Sequence, residues 1–428
     1  MTSVPPLHPA HRSLGRRDYR TLALAALGGA LEFYDFVVFV FFAKVIGAAF
    51  FPDDLPEWLR QLQTFGIFAA GYLARPIGGI VIAHFGDLLG RKRMFTFSII
   101  LMAVPTLAMG LLPTYATLGA IAPVLLLLLR ILQGAAIGGE VPGAWVFVSE
   151  HVPARHTGFA VGTLTAGLTF GILLGSLVAT AINTRFTPEE VFDFAWRIPF
   201  LLGGGFGILA VYLRRFLEET PVFRAMQEKK TLASELPLKT TLRRHLGAVT
   251  FCMLLTWVLS AAVVVVILFT PTYLQGSFEI SAQSALQANS VAVVALTVGC
   301  VVFGVLADRW GPRVALGVGS LGLMWTSYRF YGGLAQPDAL LLDYTLVGFF
   351  VGTVGAIPYL LVRAFPAVIR FSGMSFSYNL AYAIFGGLTP MVLTLWVEQD
   401  VMAPAHYVAM LAVLGVILAF VPAPQHEH

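Results

Sequence analysis

The sequence predicts an all-α polytopic membrane protein, with about twelve transmembrane helices in two pseudo-symmetric six-helix halves. Three observations predict it. Hydrophobic residues make up 57% of the 428 and charged residues only 12%, with a mean hydropathy of +0.81; a soluble chain of this size carries about a quarter charged residues. Twelve or so apolar runs approach or exceed the roughly 20 residues that span a bilayer. Short motifs in the first half of the chain also recur, with drift, at matching places in the second.

The runs cover residues 20–47, 61–84, 94–112, 117–148, 158–182, 196–216, 246–270, 287–306, 314–332, 340–363, 370–396 and 404–424. Turn-forming residues punctuate them, as in Phe51-Pro52-Asp53-Asp54, Leu112-Pro113-Thr114 and Thr187-Pro188-Glu189. Alternate loops are basic (Arg91, Lys92 and Arg93; Arg243 and Arg244; Arg309 and Arg313) and the others mostly acidic (Asp53 and Asp54; Glu189 and Glu190; Glu398 and Asp400). The positive-inside rule then makes the basic loops and both termini cytoplasmic, and the expected location is the cell (inner) membrane. The net charge of +4 is accounted for by this topology, so no nucleic-acid partner is expected. The longest polar connection divides the chain. The expected organisation is a cytoplasmic tail at 1–19, which lacks the apolar core of a signal peptide, a first bundle at 20–216, and a cytoplasmic linker at 217–245. A second bundle at 246–424 and a short tail at 425–428 complete it.

The repeat is legible in Gly86-Asp87-Leu88-Leu89-Gly90-Arg91-Lys92 after the second run and Ala307-Asp308-Arg309-Trp310-Gly311-Pro312-Arg313 after the eighth. Chains built from two such copies tend to bind their solute near the midplane, between the copies.

Ionisable residues inside apolar runs are costly, about 2.5–3.5 kcal/mol at the least, and so point to function. Glu32 and Asp35, three apart in Leu31-Glu32-Phe33-Tyr34-Asp35-Phe36, share one face of the first helix. At the rise of a helix, Asp35 lies about 22 Å from the cytoplasmic end of its run, with Arg130 about 20 Å and Arg75 about 21 Å from the outer ends of theirs. Three charges at one depth can pair. Arg75, whose planar guanidinium suits a carboxylate, is either an anion clamp for the solute or the counter-ion of Glu32. Glu140 sits about 15 Å beyond Arg130 towards the cytoplasm, as a second proton station or an interfacial charge. Gly134 and Gly138 follow Arg130 at four-residue steps and allow close helix approach. Tyr359, Tyr378 and Asn379 are candidate solute-binding residues in the second half, and Arg329 is read as reaching for the outer interface.

Several motifs resemble the major facilitator superfamily: the two Asp-containing loops above, Arg130-Ile131-Leu132-Gln133-Gly134, Trp196-Arg197-Ile198-Pro199-Phe200 and Glu218-Glu219-Thr220-Pro221. The Leu31–Phe36 stretch, Ala74-Arg75-Pro76-Ile77-Gly78 and Tyr378-Asn379-Leu380-Ala381 are similar to hallmarks of its metabolite:proton symporter family. The pattern departs at Ala83, Leu88 and Arg363. The resemblance implies the major facilitator fold and proton-coupled uptake of a small carboxylate or zwitterion by alternating access, the organic acids among them. Proton-driven efflux on the same fold is the alternative. It implies that Tyr34-Asp35 and Arg130 couple the proton, with Glu32 and Glu140 assisting. Tyr34, Arg75, Arg130, Tyr359, Tyr378 and Asn379 would bind the solute. Asp87, Arg91, Lys92, Glu150, Arg155, Glu219, Asp308, Arg309 and Arg313 would latch the outward-facing state. The expected partners are solute, protons and the lipid bilayer, and the expected state a monomer. No cofactor is expected beyond the proton gradient as driving force. No nucleophile–base or metal-ligand constellation suggests an enzyme, and Cys252 and Cys300 carry no zinc or disulfide pattern.

Overall fold

The computed structural model describes residues 14–89, 91–138, 140–214, 237–334, 340–366 and 369–421. Twelve long helices follow the twelve predicted runs. Helix α1 is Arg16–Phe41, continued after a break at Phe42 as Ala43–Phe50; α2 is Glu57–Leu89 and α3 Arg91–Leu111. Helix α4 comprises Ile121–Ile137 and Glu140–His151; α5 is Thr157–Arg185 and α6 Ile198–Arg214. Helix α7 runs Leu246–Val263, widens into a π-helical turn at Val264–Phe269, and ends as Thr270–Ser277. Then come α8 (Ala282–Trp310), α9 (Pro312–Gly332) and α10 (Leu340–Val351, continued as Ile357–Arg363). Helix α11 is Arg370–Ala381, a π-helical turn Tyr382–Gly386, and Gly387–Val397; α12 is Ala403–Phe420. Among the described residues ten spans are long and apolar enough to cross a membrane. Helix α9 is less apolar because it carries Arg, Gly, Ser, Thr and Tyr positions, and the part of α3 described in full, Ile100–Leu111, is a shorter apolar helix.

The packing repeats with an offset of six helices. In the first half α1 packs on α5 and α6, α2 on α4, and α3 on α6; in the second α7 packs on α11 and α12, α8 on α10, and α9 on α12. The halves meet through α5 against α8 and α2 against α11. Small residues permit these crossings. A Cβ at Gly134 would run into the backbone of Gly71, so α4 and α2 touch main chain to main chain beside Arg130. Gly311, at φ +93°, makes the turn from α8 into α9 that a residue with a Cβ would strain.

Helix ends are satisfied locally. Arg197 donates to the Gly110 and Leu112 carbonyls (3.1 and 2.6 Å), covering orphan acceptors at the end of α3. Arg329 does more than reach for the interface: its Nε lies 2.7 Å from Oδ1 of Asp343, whose side chain is only 6% exposed. That pair ties α9 to α10.

Candidate functional site

Arg130 is fully buried on α4, in a box of rings. Its guanidinium carbon lies 4.3 Å from the ring centre of Phe36, 4.5 Å from Phe39 and 5.4 Å from Phe68. Ring faces attract a cation, most strongly where water is excluded. Its Nη1 donates to the Phe36 carbonyl (3.3 Å) and to Oε1 of Gln133, one turn on. Gln133 in turn donates to the Asp35 carbonyl (3.1 Å) and to Oγ1 of Thr106 (2.7 Å).

The Asp35 carboxyl does not join this network. It is fully buried and turned towards α6, where a Cβ on Gly203 would meet its Oδ1; among the described residues neither oxygen has a hydrogen-bond partner. The ion pair expected between Asp35 and Arg130 is therefore not formed. Helix arithmetic set the two residues at one level of the bundle, where Arg130 meets the Phe36 carbonyl, but not the azimuth of the carboxyl. Tyr34 is also redirected. Its hydroxyl donates to the Pro199 carbonyl (2.9 Å) and its ring packs edge-on against Phe206, inside the first half.

Arg75 lies where α2 meets α11. Its guanidinium carbon is 4.6 Å from the Tyr382 ring, 5.3 Å from Tyr72 and 5.6 Å from Tyr378, and among the described residues its Nε and Nη2 have no hydrogen-bond partner. Tyr72 and Tyr382 stack at 5.1 Å, Tyr378 lies 5.1 Å from Tyr382, and Trp145 of α4 meets Tyr378 edge-on at 5.2 Å. The cage thus draws on both halves. The cavity against it, bounded by Phe33, Phe36, Tyr72, Arg75, Ile137 and Val141, measures about 10 Å³, the space of one water. A larger cavity of about 270 Å³ lies between the Glu57 end of α2, the Ser277 end of α7 and the Val397 end of α11, lined by Gln61, Phe269, Tyr273 and Thr394 among others. From Gln61, one face of α2 descends through Phe65, Phe68 and Tyr72 to Arg75, with Phe65 and Phe269 closing the way at 5.9 Å.

The opposite end is sealed across the halves. Asp308 at the end of α8 accepts from the backbone N–H groups of Gly158 and Phe159, both at 2.7 Å. It thus caps the first turn of α5, whose unpaired donors and dipole favour a carboxylate. Gly158 and Gly304 approach main chain to main chain behind it. Asn379 of α11 crosses to donate to the Gly138 carbonyl at the break in α4, and also to the Ser375 carbonyl (2.9 Å). Its amide nitrogen is spent on this closure rather than on a solute pocket. Tyr359 is displaced from the expected pocket too: its ring lies 4.4 Å from the Arg363 guanidinium, near Asp308. Arg309 and Arg313 are exposed, and Arg155 bonds His156 (3.1 Å). The side chains of Glu32, Asp87, Arg91, Lys92, Glu140 and Glu150, and all of Glu219, lie outside the described residues.

Sequence reasoning brought Asp35, Arg75, Arg130, Tyr378 and Tyr382 to the centre but missed Tyr72, Gln133, Thr106 and Gly203. Gln133, one turn beyond Arg130 in an apolar run, was the findable one. Aromatic and small residues in apolar helices carry no signal that separates a cage from ordinary packing.

Known proteins resemble the chain over nearly its whole length. The Major Facilitator Superfamily profile matches residues 25–390. A proline/betaine transporter of Salmonella typhimurium is 31% identical over 423 residues, covering 93% of this chain and 82% of that one. The glycine betaine/proline/ectoine/pipecolic acid transporter OusA of Dickeya dadantii matches to the same extent. Among solved structures, the proton:xylose symporter XylE bound to 6-bromo-6-deoxy-D-glucose superposes with a TM-score of 0.77 at 18% identity, covering 95% of this chain and 96% of that one. The partially occluded inward-open form of the xylose transporter XylE from E. coli gives 0.75 at 18% identity, covering 97% and 100%. The relatives are transporters rather than enzymes, and the chain belongs to the Major Facilitator Superfamily.

Proposed function

We propose that the protein takes up a small zwitterion bearing a carboxylate, of the size of proline or betaine, together with protons, by alternating access between two halves divided at a linker near 217–245. The observation that carries this reading is the Arg75 cage. A guanidinium offers two N–H donors to a carboxylate, and the three tyrosine faces suit the positive end of the same molecule. The relatives' names, proline/betaine transporters, support the same solute class. With only about 10 Å³ free at Arg75, the solute gains access when α11 moves from α2, which a cage shared between the halves allows. Asp35 carries the proton and Arg130 is its partner when ionised. Asp308 holds the cytoplasmic side shut until the halves rock. The basic loops support cytoplasmic termini and a place in the cell membrane.

The test is uptake of radiolabelled proline, glycine betaine, citrate and 2-oxoglutarate into right-side-out vesicles, with and without an inward proton gradient. The reading expects gradient-dependent accumulation of a zwitterion, lost in Asp35→Asn while solute exchange persists. Accumulation of citrate or 2-oxoglutarate alone would move the solute class to organic acids. Proton-driven loss of preloaded solute would make the protein an exporter.

A further inference from the structure

We propose that Gly203 of α6 is a positioning residue for the coupling carboxyl: it provides a slot in which the Asp35 side chain rests away from Arg130, so that the carboxyl has two positions rather than one. This rests on the coupling role given to Asp35 above. The slot is defined by what surrounds it. A Cβ on Gly203 would lie 2.5 Å from Asp35 Oδ1 and 2.8 Å from Thr106 Cγ2, so the space exists only because residue 203 has no side chain. Among the described residues it offers the carboxyl no donor. Thr106 gives its hydroxyl proton to the Met102 carbonyl (2.9 Å) and accepts from Gln133 (2.7 Å), while the Tyr34 hydroxyl is committed to Pro199 one turn above Gly203. A buried site without donors accommodates a neutral acid and penalises an ion. On the other side Arg130, held by Gln133 and the Phe36 carbonyl, keeps Nε and Nη2 without partners among the described residues, so it is equipped to receive an ionised carboxylate.

The charged groups around Asp35 are few. Helix α4 brings Arg130 and, in its second segment, Glu140, Glu150 and His151, α2 brings Arg75, and α1 itself carries Glu32 and Tyr34. The charged residues of α3, α5 and α6 stand only at their ends, at Arg91 to Arg93, Arg185 and Arg214, and the part of α7 against α1 has none. Protonation adds one proton to the carboxylate and releases it from Arg130, which stays charged. The neutral side chain then swings to Gly203.

The test compares the pH profile of gradient-driven glycine betaine uptake in wild type, Gly203→Ala and Gly205→Ala. An added Cβ at Gly205 meets nothing within 4 Å, so that variant controls for the helix. Filling the slot removes the resting place of the neutral form. Gly203→Ala is expected to need more acid, by about one pH unit, a tenfold change in proton concentration, while Gly205→Ala keeps the wild-type profile. In an Asp35→Ala background, whose side chain no longer reaches the slot, adding Gly203→Ala should leave exchange unchanged. An unshifted Gly203→Ala profile, or an equal effect of Gly203→Ala without the carboxyl, overturns the proposal. Infrared spectra of the purified wild type supply a check independent of that variant's folding: a carboxylic-acid C=O band at the high frequency of an acid without hydrogen bonds, absent from Asp35→Asn. Its absence from wild type also overturns the proposal. Gradient-driven accumulation that survives in Asp35→Asn instead overturns the coupling role itself.

Discussion

Replacing Asp308 by alanine removes the carboxylate that joins the second half to the first turn of α5. Two backbone N–H groups, of Gly158 and Phe159, lose charge-assisted bonds of 2.7 Å each. Bonds to a charged group contribute about 1.5–3 kcal/mol each, and the helix N-terminus adds a few tenths to 1. The carboxylate is only partly buried and the freed N–H groups regain water, so the loss falls to about 2–4 kcal/mol in total. That corresponds to roughly 30- to 900-fold more of the arrangement in which this end is open. The readout is a cysteine at Val301, which shares one helical stripe of α8 with Thr297, Gly304 and Asp308, the residues that meet α5. With both native cysteines replaced by alanine, Val301→Cys is labelled by a maleimide supplied from the cytoplasmic side of everted vesicles. Labelling should accelerate in proportion to the open population when Asp308→Ala is added, and by less with Asp308→Asn, which keeps one acceptor. An unchanged rate in Asp308→Ala would refute the view that this cap holds the seam closed.

Three further outcomes are expected. Arg75→Lys loses the planar fork and the stacking on three tyrosines, and should raise KM for a carboxylate-bearing solute by roughly tenfold or more; Tyr359→Phe, which keeps its ring on Arg363, should leave KM unchanged in the same uptake assay. Tyr344→Phe strips a donor from the Asn289 side chain (2.6 Å) and the Val266 carbonyl (2.7 Å), both buried, at about 1–3 kcal/mol, which thermal unfolding in detergent would register as a lower Tm. Gly134→Leu forces α4 off the Gly71 backbone, and should yield little monodisperse protein on fluorescence-detected size exclusion.

The sequence disclosed the spans because lipid imposes one demand, an apolar stretch of sufficient length, on every one of them, and it disclosed Asp35, Arg75 and Arg130 because charge at that depth is expensive. Depth is a one-dimensional quantity that rise per residue predicts well. Azimuth is not: whether Asp35 faces α4 or α6 depends on Gly203 leaving room, and whether Tyr34 faces the solute depends on Pro199 offering a carbonyl. The Arg329–Asp343 contact was hidden because the two residues stand in different helices whose pairing only the fold reveals. The cage around Arg75 was hidden for another reason. Tyr72, Tyr378 and Tyr382 converge across the two halves, and their spacing along the chain is that of any buried helix face.

The wide turn at Tyr382–Gly386 separates the cage residues of α11 from Gly387, which packs against Tyr72 and Ala69 of α2. A π turn holds one residue more than a regular helix needs. Removing a single residue there would leave an unbroken helix still able to span, but would rotate everything on one side of it by about 100°. Tyr378 and Tyr382 would then address lipid or a neighbouring helix while Gly387 kept its seat. A length change of one residue in this helix would therefore turn the cage away while leaving the span's ability to cross the bilayer intact.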